Sequence, residues 1–208
     1  MADPHQVTRD FEAALCDFTG AKYAVTTTSC TMAITLALAW ECRPCWGEDA
    51  EQTLVLPKHT YIGVPSAVKN AGHRVAFGDE QWERCYPIVT REGYVWDCAW
   101  VLQSGMFFPR SMMCLSFHWT KPLGIGQGGC ILHDNPRADA WLRRARFDGR
   151  TEGVAPADDE ILYPNWHAYL APETAATGLI RLQARALRTD HVARWSDYPD
   201  ISKQRAFK

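Results

Sequence analysis

Short runs of β-branched and aromatic residues alternate along this chain with segments of helical apolar spacing, and that alternation constrains the fold more than any other feature. Repeated strand-then-helix units imply crossover connections, so the pattern predicts a three-layer α/β/α domain with a mainly parallel sheet. Residues 5–18 carry a helical apolar stripe that stops at Gly20, and residues 22–27 read as a strand. Residues 28–30 turn into an apolar helix over 32–40. Further strands are expected at 53–56, 74–77, 94–97, 112–117 and 129–133, and helices at 63–70, 136–147 and 172–187. We assign residues 1–187 to one large domain and the polar, weakly periodic residues 188–208 to a C-terminal arm.

Composition narrows the function classes. With 208 residues, 47% of them hydrophobic, the chain can bury one substantial core. A formal charge of -2 and scattered Lys and Arg give no basic stripe, so no nucleic-acid partner is expected. The apolar runs fall short of the ~20 residues that span a bilayer, and the polar N-terminus lacks a charged-then-apolar signal, which predicts a cytoplasmic protein without a membrane partner. Of eight cysteines only Cys42 and Cys45 have ligand spacing, and two ligands leave a tetrahedral zinc site incomplete; no metal is expected.

Three segments carry chemistry. In Ser116-Phe-His-Trp-Thr-Lys121-Pro-Leu-Gly-Ile-Gly, one lysine stands at a strand-to-loop junction among small and apolar residues. Removal from water lowers an ammonium's pKa, and the neutral amine is a nucleophile for carbonyl groups; the alternative is a surface lysine that snorkels to solvent. Gly124, Gly126 and Gly129 match G-x-G-x-x-G, but a strand rather than a helix follows, so a dinucleotide site is rejected in favour of a tight turn. Asp97 ends an apolar strand, where a carboxylate needs a partner or else caps a following helix. Thr28-Ser-Cys-Thr31-Met places hydroxyls and amides at a strand-to-helix turn, which is either a plain N-cap or an anion site.

In this order the segments resemble the DegT-like, fold-type I sugar aminotransferases that depend on pyridoxal 5'-phosphate (PLP). The resemblance runs from about Phe11 to Gln183 and includes Phe18-Thr-Gly-Ala-Lys-Tyr-Ala-Val, Val55-Leu-Pro-Lys-His-Thr-Tyr61 and the segments around Thr31, Asp97 and Lys121. It implies the large domain of a fold-type I transferase, with Lys121 as the Schiff-base and proton-shuttling residue and Asp97 on the pyridine nitrogen. Cys30, Thr31, Met32 and Ser116 would surround the phosphate, Tyr61 would stack on the ring, and Trp100 stands where the family usually has Gln or His. Asn165 is similar to a phosphate ligand given by a neighbouring subunit, which implies a homodimer with a shared site. The implied reaction takes an amino group from an amino acid, glutamate first, to the keto group of a nucleotide-linked sugar. Alternatives are a PLP-dependent sugar dehydratase, against which Lys121 argues because that group usually has His there, and a catalytically degenerate domain kept for assembly or regulation. The stretch between Asp79 and Asp97 is shorter than in the family, and the arm after residue 187 stands near the start of the family's smaller C-terminal domain.

Overall fold

A computed structural model describes residues 3–42, 51–161, 165–188 and 191–207. Cys45, Tyr163 and Pro164 lie outside them. The elements in chain order are α1 (Gln6–Thr19), β1 (Tyr23–Thr27), α2 (Cys30–Glu41), β2 (Thr53–Pro57), α3 (Gly63–Asn70), β3 (Arg74–Gly78), β4 (Tyr86–Val89), β5 (Tyr94–Asp97), β6 (Met112–Ser116), β7 (Gly129–His133), α4 (Pro136–Ala145) and α5 (Pro172–Gln183). Three single 3₁₀ turns, Trp195–Asp197, Ile201–Lys203 and Arg205–Phe207, follow.

The strands form a five-stranded sheet in the order β1-β7-β6-β5-β4 and a separate parallel pair, β2-β3. Alternate side chains of the larger sheet enter two cores. Val25, Val95, Met112, Cys114 and Ile131 pack with α2, α3 and α4, whereas Ala24, Met113, Leu115, Cys130 and Leu132 pack with α1 and α5. The strands therefore have no polar face, as expected of a sheet covered on both sides. Helix α2, buried nearly all round, is the central element of its layer.

The three layers agree with the alternation, but the mainly parallel sheet needs correcting. In the larger sheet only β5 and β6 are parallel neighbours, while β1-β7, β7-β6 and β5-β4 are antiparallel. β7 is reversed because residues 117–128 return from β6 as a loop without a crossover helix. β4 is reversed because it joins β5 through a tight turn in which Thr90 and Gly93 exchange hydrogen bonds of 3.0–3.1 Å. This hairpin occupies the short stretch before Asp97. Pro87 obscures β4 in the sequence, since a proline cannot donate to a ladder; Cys98 N–H points to Cys114 of β6 at 2.9 Å, and alternation then puts Pro87 at a position whose nitrogen faces away from β5.

A buried ion cluster ties α1, β1 and α4 together. Glu12, 3% exposed, pairs with Arg146, 1% exposed, and accepts from Arg143 Nη1 at 2.7 Å and from Thr26 N and Oγ1 at 2.9 and 2.7 Å. Burial alone would raise the Glu12 pKa, but the two guanidinium groups outweigh it and hold the carboxyl below its ordinary value.

Candidate functional site

The C-terminal ends of β5 and β6, the first turn of α2 and the loop after β6 converge on a cavity of about 340 Å³. It lies within the roughly 300–1,000 Å³ typical of small-molecule sites. Lys121, Asp97, Tyr61, Cys30, Thr31, Ser116 and Trp100 all line it. Met32 and Asn165 do not: Met32 packs into the core under α2, with its N–H donating to Ser29 Oγ at 3.1 Å, and Asn165 lies on the segment after α4.

Lys121 is half-buried, with its Nζ 3.3 Å from the centre of the Trp100 ring. Loss of water pushes its pKa from 10.5 down to about 8, against the opposing charge of Asp97. This is a shielded amine rather than a snorkelling one. Its loop is shaped by Gly124, whose φ of 56° suits glycine, so the rejected dinucleotide motif is a turn.

Asp97 is 8% exposed and caps no helix; residues 98–100 form a turn in which Ala99 N–H donates to its Oδ1 at 3.0 Å. Burial raises its pKa, while the Ala99 amide, the Tyr86 hydroxyl and the Lys121 charge favour the ionised form. Tyr86, directly across the ladder from Asp97, also bonds Thr60 Oγ1; burial pushes its own pKa well up, so it stays protonated and donates to the carboxylate.

At the other end of the cavity, Ser29 caps α2 in an extended conformation and takes the Met32 amide, while Cys30 and Thr31 are the first-turn residues facing the opening. First-turn amides and the helix dipole favour an anion there. The approach of β7 to this turn requires Gly129, because a Cβ at that position would lie 2.5 Å from Cys30 N and from the Ser29 carbonyl carbon. The turn is thus an N-cap and, in addition, opens onto the cavity.

Several lining residues were not expected. Thr60, Trp82, Arg84, Tyr86 and Tyr198 complete the wall. Tyr198 arrives from the arm: its hydroxyl accepts from Trp100 Nε1 at 2.8 Å, its carbonyl bonds His59 Nδ1 at 2.8 Å, and its ring packs 5.5 Å from that of Trp82. The arm is held alongside by Arg84 N to Ala193 O at 2.8 Å and Ile201 N to Lys58 O at 2.9 Å. Trp100, whose setting the sequence left open, is thereby fixed beneath Lys121. Among the described residues no group of three or more His, Cys, Asp or Glu is placed to hold a metal ion, and no helix is long and apolar enough to cross a membrane.

Residues 4–89 match the DegT/DnrJ/EryC1/StrS aminotransferase family. Beyond that segment the likeness to DegT-type enzymes is structural. AtS13 from Actinomadura melliaura superposes with a TM-score of 0.72 at 18% identity, over 86% of this chain and 60% of its own. The sugar aminotransferase CalS13 from Micromonospora echinospora gives 0.70 at 15% identity, over 86% of this chain and 60% of its own. PseC of Helicobacter pylori, an aminotransferase of pseudoaminic acid biosynthesis, gives 0.68 at 16% identity, over 87% and 58%. The fold is therefore that of the fold-type I transferases, and the chain spans about 60% of the length of the structures it matches. No curated protein sequence matches the chain.

Proposed function

We propose that the protein is a PLP-dependent aminotransferase that carries an amino group from an amino acid, glutamate first, to the keto group of a nucleotide-linked sugar. The observation that carries the reading is the convergence on one cavity of an amine with a lowered pKa, a buried carboxylate and the open first turn of a helix. Those three groups suit the aldehyde, the ring nitrogen and the phosphate of PLP respectively. The cofactor supplies a carbonyl that joins amines reversibly and a ring that takes up the electron pair left when a substrate Cα proton departs.

The chain's own residues divide the remaining work. Lys121 would hold the aldehyde through its neutral amine and would carry a proton to and from the substrate Cα. Asp97, whose ionised form Ala99 N–H and the Tyr86 hydroxyl favour against burial, would hold the proton on the ring nitrogen. Cys30 and Thr31 at the head of α2, with Ser116 at the end of β6, would hold the phosphate, and Tyr61, in the same cavity wall, would pack on the ring. The Trp100 ring covers the amine at 3.3 Å, and Trp82 and Tyr198 line the same cavity.

The sugar acceptor is supported by the naming of the similar structures as sugar aminotransferases. Asn165, away from its own chain's cavity, suits a second copy's phosphate, so the reading includes a homodimer with shared sites in the cytoplasm. Residues 1–187 would form the cofactor domain and 188–208 an arm that closes its wall. The test is the visible absorbance of protein purified with PLP, as wild type and Lys121→Ala, before and after L-glutamate. A yellow band that is absent from the variant and bleaches with glutamate is expected; a colourless wild-type protein would sink the reading and favour the degenerate domain.

A further inference from the structure

Two cysteines face each other across the hairpin that carries Asp97. Tyr86 pairs with Asp97 as the last position of the β4-β5 ladder; Cys85 and Cys98 are the residues next beyond it on the two strands, and they pack in the same core cluster. Cys98 N–H is spent on Cys114 O of β6, and since N–H groups alternate along a strand, Asp97 exchanges hydrogen bonds with β4 and Cys98 does not. Facing residues at such non-hydrogen-bonded positions have Cα atoms about 4.5 Å apart, within the roughly 4.4–6.8 Å that a disulfide spans.

The two thiols also differ in a useful way. Cys85 is half-buried and Cys98 fully buried. Among the described cysteines Cys85 alone is held below the ordinary thiol pKa; its hydrogen bond with the Cys98 thiol is the main cause, and burial opposes it. The same contact and burial push Cys98 well up. A partly exposed thiol beside a fully buried second one is the arrangement of an attacking and a resolving cysteine.

We propose that Cys85 and Cys98 form a reversible cross-strand disulfide by exchange with a low-molecular-weight disulfide such as oxidised glutathione. The Cys85 thiolate attacks one sulfur of the small disulfide, breaking its S–S bond and expelling one thiol. Cys98, giving its proton to solvent, then attacks Cys85 Sγ and expels the second. The chain loses two protons and two electrons, and the small disulfide gains both as two thiols. The bond pins the hairpin next to Tyr86 and Asp97, so it couples the surroundings to the cavity wall whatever the cavity binds.

Trypsin makes the test specific, because cleavage after Arg84, Arg91 and Arg110 leaves Cys85 in a peptide of residues 85–91 and Cys98 in one of residues 92–110, each with a single cysteine. Full-length protein is equilibrated with oxidised or reduced glutathione, alkylated, digested without reductant and analysed by mass spectrometry. The two peptides joined to each other are expected after oxidation, lost on dithiothreitol treatment, lost in Cys85→Ser and retained in Cys16→Ser. Cys85 recovered as a glutathione mixed disulfide with Cys98 alkylated, or both recovered alkylated, would overturn the proposal.

Discussion

The most discriminating perturbation of the site is Asp97→Asn read through the titration of Lys121. Burial lowers the Lys121 pKa from 10.5 to about 8 although Asp97 pulls it upward. That net change corresponds to about 3 kcal/mol of differential ammonium destabilisation and makes the neutral amine about 300-fold more abundant at pH 7 than in a free lysine. The initial rate at which apoprotein takes up PLP, followed by visible absorbance across pH, should therefore rise through a midpoint near 8 in the wild type. Replacing the carboxylate by an amide of the same size removes the attraction that favours the ammonium, so the midpoint moves to lower pH while burial is unchanged. The variant should react faster than wild type below the wild-type midpoint but bind the cofactor less tightly at equilibrium, because the ring nitrogen has lost its anion. A wild-type midpoint near that of a free lysine, or an upward shift in Asp97→Asn, would refute the claim that burial and Asp97 jointly set this amine.

Two further changes probe the frame around the site. Glu12→Gln strands Arg146 and Arg143 and should cost about 3–5 kcal/mol in chemical denaturation; because the folded Glu12 pKa is depressed, wild-type stability from this group is present above the unfolded value of 4.5 and lost as pH falls through the folded one, and that acid slope should be missing in the variant. A smaller loss, or an unchanged slope, would mean that the cluster is not ionised as described. Gly129→Ala drives a methyl group to 2.5 Å from Cys30 N and must shift the first turn of α2. PLP affinity should fall roughly tenfold or more, and equilibrium binding that is unaltered would remove that turn from the phosphate site.

The parts of the molecule legible in its sequence are those where one local signal suffices. α2 and the strands β1, β6 and β7 are continuous apolar runs because they are buried on both sides, and such runs stand out. Lys121, Asp97 and Thr31 could be picked because each is a polar group at the end of such a run. The strand β4 was hidden by Pro87, whose tolerance depends on which edge its nitrogen faces, a fact of pairing and not of composition. The sheet was expected to be more parallel than it is because periodicity reports strands but not their direction. Tyr86 and Tyr198 carry no local mark at all: one becomes part of the site through ladder register, the other through the docking of a polar arm by scattered backbone bonds. Met32 was expected from the resemblance to border the phosphate turn, whereas the Ser29 cap takes its amide and the half-buried Met32 side chain packs against the core.

The arm's contribution to the cavity wall has a consequence for how the protein is made. Synthesis proceeds from the N-terminal side, so the amine, the carboxylate and the head of α2 leave the ribosome before Tyr198 does. Until that residue docks, Trp100 lacks its hydroxyl partner and one side of the cavity is open to water. A nascent chain paused between these points would leave Lys121 more open to water, with its pKa closer to that of an ordinary lysine. The wall of the cavity is thus finished by the segment least like a catalytic element.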